Sequence, residues 1–179
     1  MAVMSQQEQK QKDFEDLRFL SSHGVPSSKP VALDIGKGLL IEMFEEGIDL
    51  GTFLRSRDYS SETKIDRFRK GMETLKSAQN LGRQCGEALV DNFLVTPSGQ
   101  VKITDMEKKS VLSDPVTHEL AFFVFSTPRD VPAKHVVKAA ADLYPKGVVK
   151  KLPRYVLRPL FFLDPVASYQ ICRTIQELE

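Results

Sequence analysis

A chain of 179 residues has the length of one globular domain, enough to bury roughly 70% of the surface its unfolded form exposes. Its 25 Lys and Arg against 24 Asp and Glu leave a formal charge of +1, so no bulk field recommends nucleic acid or an anionic membrane as partner. With 41% hydrophobic and 27% charged residues the composition is neither disordered nor fibrous, and no run of about 18 apolar residues offers a membrane span.

The polar start MAVMSQQEQKQKDFEDL lacks the apolar core of a signal peptide, and Cys85 and Cys172 make no disulfide framework, so a reducing, cytoplasmic setting is expected. Residues 5 to 22 run from polar helix formers into Phe14, Leu17, Phe19 and Leu20, apolar spacing for a helix packed on one side and ending near Ser21 to Gly24. Gly24, Pro26 and Pro30 supply turn chemistry. VALDI (31 to 35) and LLIEMF (39 to 44), separated by Gly36, Lys37 and Gly38, predict a β-hairpin with a three-residue loop. A strand rather than a helix follows GKG, which argues against a phosphate-binding loop.

A short helix is expected around Leu50 to Arg57. Ile65, Phe68, Met72 and Leu75 repeat at helical spacing and predict an amphipathic helix over 60–82, with Ser60 or Ser61 as N-cap and Gly82 near its end. NFLVT (92 to 96) and VKITDM (101 to 106), joined by Pro97, Ser98, Gly99 and Gln100, predict a second hairpin. Beyond about residue 115 the chain is helix-prone, in HELAFFVFS, AKHVVKAAADLY, RYVLRPLFFL and VASYQICRTIQELE. The order suits an α+β fold better than alternating parallel units. Phe122, Phe123, Phe125, Phe161 and Phe162 read as core, and their density asks for a covering surface. Lys146, Lys150, Lys151, Arg154 and Arg158 form a basic string that reads as a solvated helix face, with phosphates of lipid or RNA as the alternative.

Residues 84 to 107, QCGEALVDNFLVTPSGQVKITDME, hold the groups with chemistry to offer: Glu87, Asn92 and Asp105, set around a hairpin. Asn92 and Asp105 have a plain alternative role as turn caps that bond to nearby backbone. Cys85 has no histidine beside it in sequence and reads as a structural thiol. None of the three histidines shows metal-ligand spacing.

This stretch resembles the C-terminal lobe of the protein-kinase-like superfamily, especially its RIO, lipopolysaccharide-kinase and aminoglycoside-phosphotransferase-like branches. Those carry H-G-D, four residues, N, an apolar strand, a turn and a second strand ending in D-F-G or D-F-E. Cys85, Gly86 and Glu87 stand at the H-G-D positions, Asn92 follows at the family's offset, and Asp105, Met106 and Glu107 replace the last triplet. The resemblance implies ATP and Mg²⁺ as cofactors, with Asp105 and Asn92 as metal ligands and Glu87 at the catalytic base's position; hard Mg²⁺ takes oxygen ligands together with phosphate oxygens. Glutamate for aspartate moves that carboxylate about one methylene outward, and ~1 Å of misplacement can cost on the order of 10² in rate.

Upstream, FEDLRFLSSHGVPSSKPVALDIGKGLLIEMFEEGIDLGTFL resembles the family's path from the helix bordering the active site to the hinge. Glu42 takes the gatekeeper position, and Met43, Phe44, Glu45 and Glu46 form the hinge whose backbone would meet adenine. Downstream, SDPVTHELAFFVFS resembles the segment in which an acidic residue opens a buried helix, with Asp114 and Glu119 as candidates for that structural role. The likeness spans about residues 10 to 127. It implies a reduced small-lobe segment over 1–48 and a kinase-like helical lobe over 49–179, folding as one unit.

The family places its glycine-rich loop and strand lysine upstream of residue 10, where this sequence has no room for them. Glu15 holds the place of the helix glutamate, and Lys29 and Lys37 sit on the wrong side of the helix. Three expectations follow: Mg-dependent nucleotide binding with phosphotransfer to an acceptor; a non-catalytic pseudokinase that binds a protein partner or a second copy through apolar surface; or part of a longer kinase whose first strands precede Met1.

Overall fold

The computed structural model describes residues 6–106, 114–155 and 164–178. Glu107, Arg158, Phe161 and Phe162, and the expected helix beyond Tyr155, lie outside them. Helix α1 (Gln6–Ser22) buries Leu17 and Leu20 and half-buries Phe14 and Phe19. It stops where Gly24 takes a φ of 76°, which lets Val25 N–H reach back to the Leu20 carbonyl at 3.0 Å; only glycine enters that region without strain.

Strands β1 (Pro30–Asp34) and β2 (Leu39–Glu42) pair antiparallel, with Asp34 opposite Leu39. The connection is therefore 35–38, one residue longer than the glycine spacing suggests. The reason is Asp34, whose carboxylate accepts from Lys37 N–H at 3.1 Å and closes a wider turn.

The expected helix near residue 50 is α2 (Leu50–Arg55), capped by Asp49, which accepts from Thr52 N–H at 2.7 Å. Helix α3 (Ser61–Asn80) is capped by Ser60 and buries Phe68, Met72 and Leu75, with Ile65 half-buried. The second hairpin forms from β4 (Phe93–Val95) and β5 (Val101–Ile103). It is shorter than its apolar runs, because Thr104 leaves the ladder to bond the Asn92 carbonyl. Strand β3 (Ile48–Asp49), which periodicity could not reveal in two residues, adds to it through Ile48 opposite Val95, giving the sheet order β3-β4-β5.

Among the described residues the helices that follow are α4 (Pro115–Phe125), α5 (Ala133–Leu143), α6 (Lys146–Val149) and, after a 3-10 turn at Leu152–Tyr155, α7 (Pro165–Gln176). Asp114 and Asp164 cap α4 and α7. Helix α5 packs between α3 and α7. The class is α+β, with two small antiparallel sheets among the described residues. Phe122, Phe123 and Phe125 are buried in the core, and Lys146, Lys150, Lys151 and Arg154 are exposed. Among the described residues no helix is long and apolar enough to cross a membrane.

Candidate functional site

The loop between α3 and β4 is fastened from several directions. Arg83 reaches back to α1, its guanidinium 2.7 Å from a carboxylate oxygen of buried Asp16 and lying over the Phe19 ring at 3.9 Å. Gly86 N–H donates to Glu119 Oε1 of α4 at 3.0 Å, and Glu119 also accepts from Gln79 Nε2 of α3 at 2.9 Å. Val90 N–H donates to Ser126 Oγ at 3.0 Å. Of the two candidates for the buried structural acid, Glu119 holds the loop while Asp114 caps its helix.

Within this frame the segments that carry Glu87, Asn92 and Asp105 are tied to one another through backbone carbonyls. Asn92 Nδ2 donates to the Glu87 carbonyl at 2.9 Å. The Asn92 carbonyl accepts from both the N–H and the hydroxyl of Thr104, each at 3.0 Å. Asp105 is the next residue. Asn92 thus spends an amide donor inside the loop, while the Glu87 side chain is exposed.

Helix α1 closes the other side. Gln9 Nε2 is shared between Asp13 Oδ1 at 2.7 Å and the Met106 carbonyl at 3.3 Å, and Lys10 Nζ stands 3.7 Å from Asp13 Oδ2. Asp13 is buried, and burial raises its pKa to about 6 against the Gln9 hydrogen bond and the Lys10 charge, with Asp105 and Asp16 adding to the rise. Glu42 at the end of β2 is raised too, chiefly by burial, with a Ser28 hydrogen bond and Lys10 opposing and Asp105 and Glu45 contributing. Acids from α1, β2 and the end of β5 therefore share one field. Glu15 does not join them: it is exposed and accepts from Gln11 at 3.1 Å, so Asp13, not Glu15, is the α1 acid that faces Asp105.

The candidate hinge is held from below, where Glu45 pairs with Lys102 of β5 at 2.6 Å, each side chain 16% exposed. Met43 and Phe44 are exposed, Phe44 to 90%. Glu46 points elsewhere, lining a cavity of about 370 Å³ with Phe53, Tyr59, Thr63 and Arg67 that does not include Asp105. Cys85 is 1% exposed, and burial, with Glu119 and Asp16 nearby, pushes its thiol well up, which makes it a structural group.

Lys10, Asp13, Gln9, Lys102 and His118 escape a reading of the sequence. Gln9 and Lys10 at four and three residues before Asp13 form a legible helix-surface set, but nothing local says it meets Asp105. His118 of α4 is buried with its Nδ1 unpartnered among the described residues; burial lowers its pKa and the Glu87 charge opposes.

Among the described residues no three His, Cys, Asp or Glu side chains converge to hold a metal ion on their own. Mg²⁺ asks for less, one or two protein oxygens beside phosphate oxygens. Compared with family models and with curated proteins, the chain matches none.

The Asp13 shift carries a sign. The folded carboxyl keeps its proton to about pH 6 while the unfolded one releases it near 3.8, so between those values the folded state binds more protons and stability falls as pH rises. In metal-free buffer Asp13→Asn is expected to flatten that fall and to add up to about 3 kcal/mol above neutrality. Urea unfolding at about pH 4 and about pH 8 reads it; a variant that loses as much stability between the two as its parent would locate the effect elsewhere.

Proposed function

We propose that the chain is a protein-kinase-like lobe that binds a magnesium nucleotide between the 43–46 segment and Asp105, with Glu87 on the acceptor side. The observation that supports this is the bond from the Asn92 amide to the Glu87 backbone carbonyl, with the Asn92 carbonyl in turn accepting from Thr104, the residue before Asp105. The loop that carries Glu87 and Asn92 is tied across the hairpin by Thr104, which donates to the Asn92 carbonyl, and to a buried acid on α4 through Gly86. The order of helix, hairpin, linking segment, long helix, loop and second hairpin is also the order the sequence resemblance implies.

In this function Asp105 and Asn92 would hold Mg²⁺, which neutralises phosphate charge. Glu87 would accept the proton of an acceptor hydroxyl. The backbone of Met43 to Glu46 would meet the adenine. Titration of ATP with and without Mg²⁺ tests it: millimolar or tighter binding that requires Mg²⁺ and weakens at least about tenfold in Asp105→Ala is expected. No binding at millimolar ATP, or binding that Asp105→Ala leaves unchanged, would sink the proposal.

One observation favours an interaction module without catalysis. The outer face of the first hairpin presents Val31, Leu39, Ile41 and Met43, each more than 50% exposed, and continues into Phe44. Apolar surface of this kind marks association sites. Sedimentation at rising concentration reads self-association, and a strictly monomeric chain would count against a homodimer.

A further inference from the structure

We propose that the cavity between the β3–β4 pair and the first turns of α3 binds a small aromatic zwitterion, of the chemical class of an aromatic amino acid, apart from Asp105. The cavity holds about 370 Å³, within the range of about 300–1,000 Å³ that small-molecule sites occupy. Ile48 and Val95, opposite each other in the sheet, give it apolar lining. Phe53 and Tyr59 line it as a stacked pair with ring centroids 3.9 Å apart, and flat apolar surface of this kind is where another ring can lie.

The Arg67 guanidinium lies against Gly99, where an added Cβ would come within 2.7 Å of Arg67 Cζ, so a larger residue there would displace it. Arg67 is 21% exposed, and its Nη1 is paired with Asp66, which Lys70 also meets at 3.2 Å. One carboxylate thus serves two cations, and Arg67 keeps charge for a ligand. Among the described residues no acceptor meets its Nε or Nη2, and that edge of a guanidinium takes a carboxylate through two parallel bonds. Glu46 lines the same cavity as an exposed carboxylate to which no described residue supplies a cation or a side-chain donor. The threonine hydroxyls are engaged, Thr63 with Ser60 at 2.9 Å and Thr96 with Ser98 at 2.9 Å. A guanidinium edge, a carboxylate and a ring face are therefore left for a ligand. A molecule with a carboxylate, an ammonium and an aromatic body answers all three, whereas Glu46 repels a polyphosphate.

Ligand-observed NMR on the full chain with L-phenylalanine, phenylpropionate and phenethylamine tests this, since the second lacks the ammonium and the third the carboxylate. The parent is expected to bind L-phenylalanine at about 1 mM or tighter and each of the other two more weakly. Arg67→Met is expected to weaken both carboxylates by about tenfold and to leave phenethylamine unchanged. Glu46→Gln, at an exposed position, is expected to weaken L-phenylalanine and phenethylamine and to spare phenylpropionate. No binding of any of the three to the parent at about 10 mM overturns the site. Equal loss of all three in Arg67→Met overturns the carboxylate contact, since that is the signature of a collapsed wall. Phenylpropionate that binds as tightly as L-phenylalanine overturns the role of Glu46.

Discussion

Replacing Glu119 by alanine is expected to destabilise the chain by about 3 kcal/mol and to loosen the loop that carries Glu87 and Asn92. Glu119 is fully buried on α4. Its two oxygens accept from Gly86 N–H and Gln79 Nε2 at 3.0 and 2.9 Å. Alanine leaves the buried Gly86 N–H without its acceptor and Gln79 Nε2 with only a long contact to the Val116 carbonyl at 3.5 Å, and an orphaned buried donor costs about 1–3 kcal/mol. The damage spreads, because Gln79 also accepts from the Tyr144 hydroxyl at 2.9 Å, so α3, α4 and the end of α5 lose a common knot. For a chain of this size the loss corresponds to roughly 10 °C in melting temperature. Glu119→Gln keeps the shape and one acceptor and should cost less than half as much. Thermal and urea unfolding measure the difference, and amide exchange at Gly86 reports the loop directly. A Glu119→Ala chain within about 1 kcal/mol of its parent would mean that the loop is held by Arg83 and Ser126 instead.

Phe123→Ala should be more damaging still, by about 3–5 kcal/mol. Its ring, with no exposed surface, sits edge-on to Phe93 with centroids 5.0 Å apart and tilted against Phe68 at 5.3 Å. These contacts join α4 to β4 and α3, and edge-to-face pairs add about 0.5–1.5 kcal/mol beyond the area they bury. Space there is closed: a Cβ added at Gly71 would lie 2.9 Å from the Phe123 ring. The helix backbone therefore already touches the ring and has little freedom to collapse into the cavity alanine would leave. Phe123→Leu, which keeps most of the volume, is expected to lose about 1–2 kcal/mol. Urea midpoints at constant m-value read both variants. A loss below about 1 kcal/mol for Phe123→Ala would show that the site repacks.

Much of the fold was legible because it is decided locally. The three- and four-residue spacing of Phe68, Met72 and Leu75 specifies a buried helix face whatever the helix packs on, and Ser60 in front of it closes the first turn. Gly24 ends α1 because the backbone there needs a positive φ. Asp34 shows the limit of such reasoning: one side-chain bond lengthened a turn that glycine spacing alone had placed. The two residues of β3 carry no period at all, and they became a strand only because Val95 lay beside them.

The candidate site divides the same way. Glu87, Asn92 and Asp105 could be picked out because their offsets lie within one loop and one hairpin. Glu15 and Asp13 could not be told apart from sequence, since position along a helix does not say which face turns inward; packing buried Asp13 and left Glu15 exposed. Gly86 and Glu119 lie 33 residues apart, and Gln9 and Met106 lie 97 apart; no periodicity couples positions so distant.

By itself, then, the sequence determined an α+β chain of about one domain, its helix faces, its caps, its hairpins and an acid-amide-acid spacing around the second of them. Only the tertiary structure decided that α1 would bring Asp13 to Asp105, that Lys102 would be taken by Glu45, and that a buried glutamate would hold the loop. Local hydrogen bonding and hydrophobic period act within a few residues. The pairing of charges across elements depends on which faces the core presses together, and that is known only once the chain is packed.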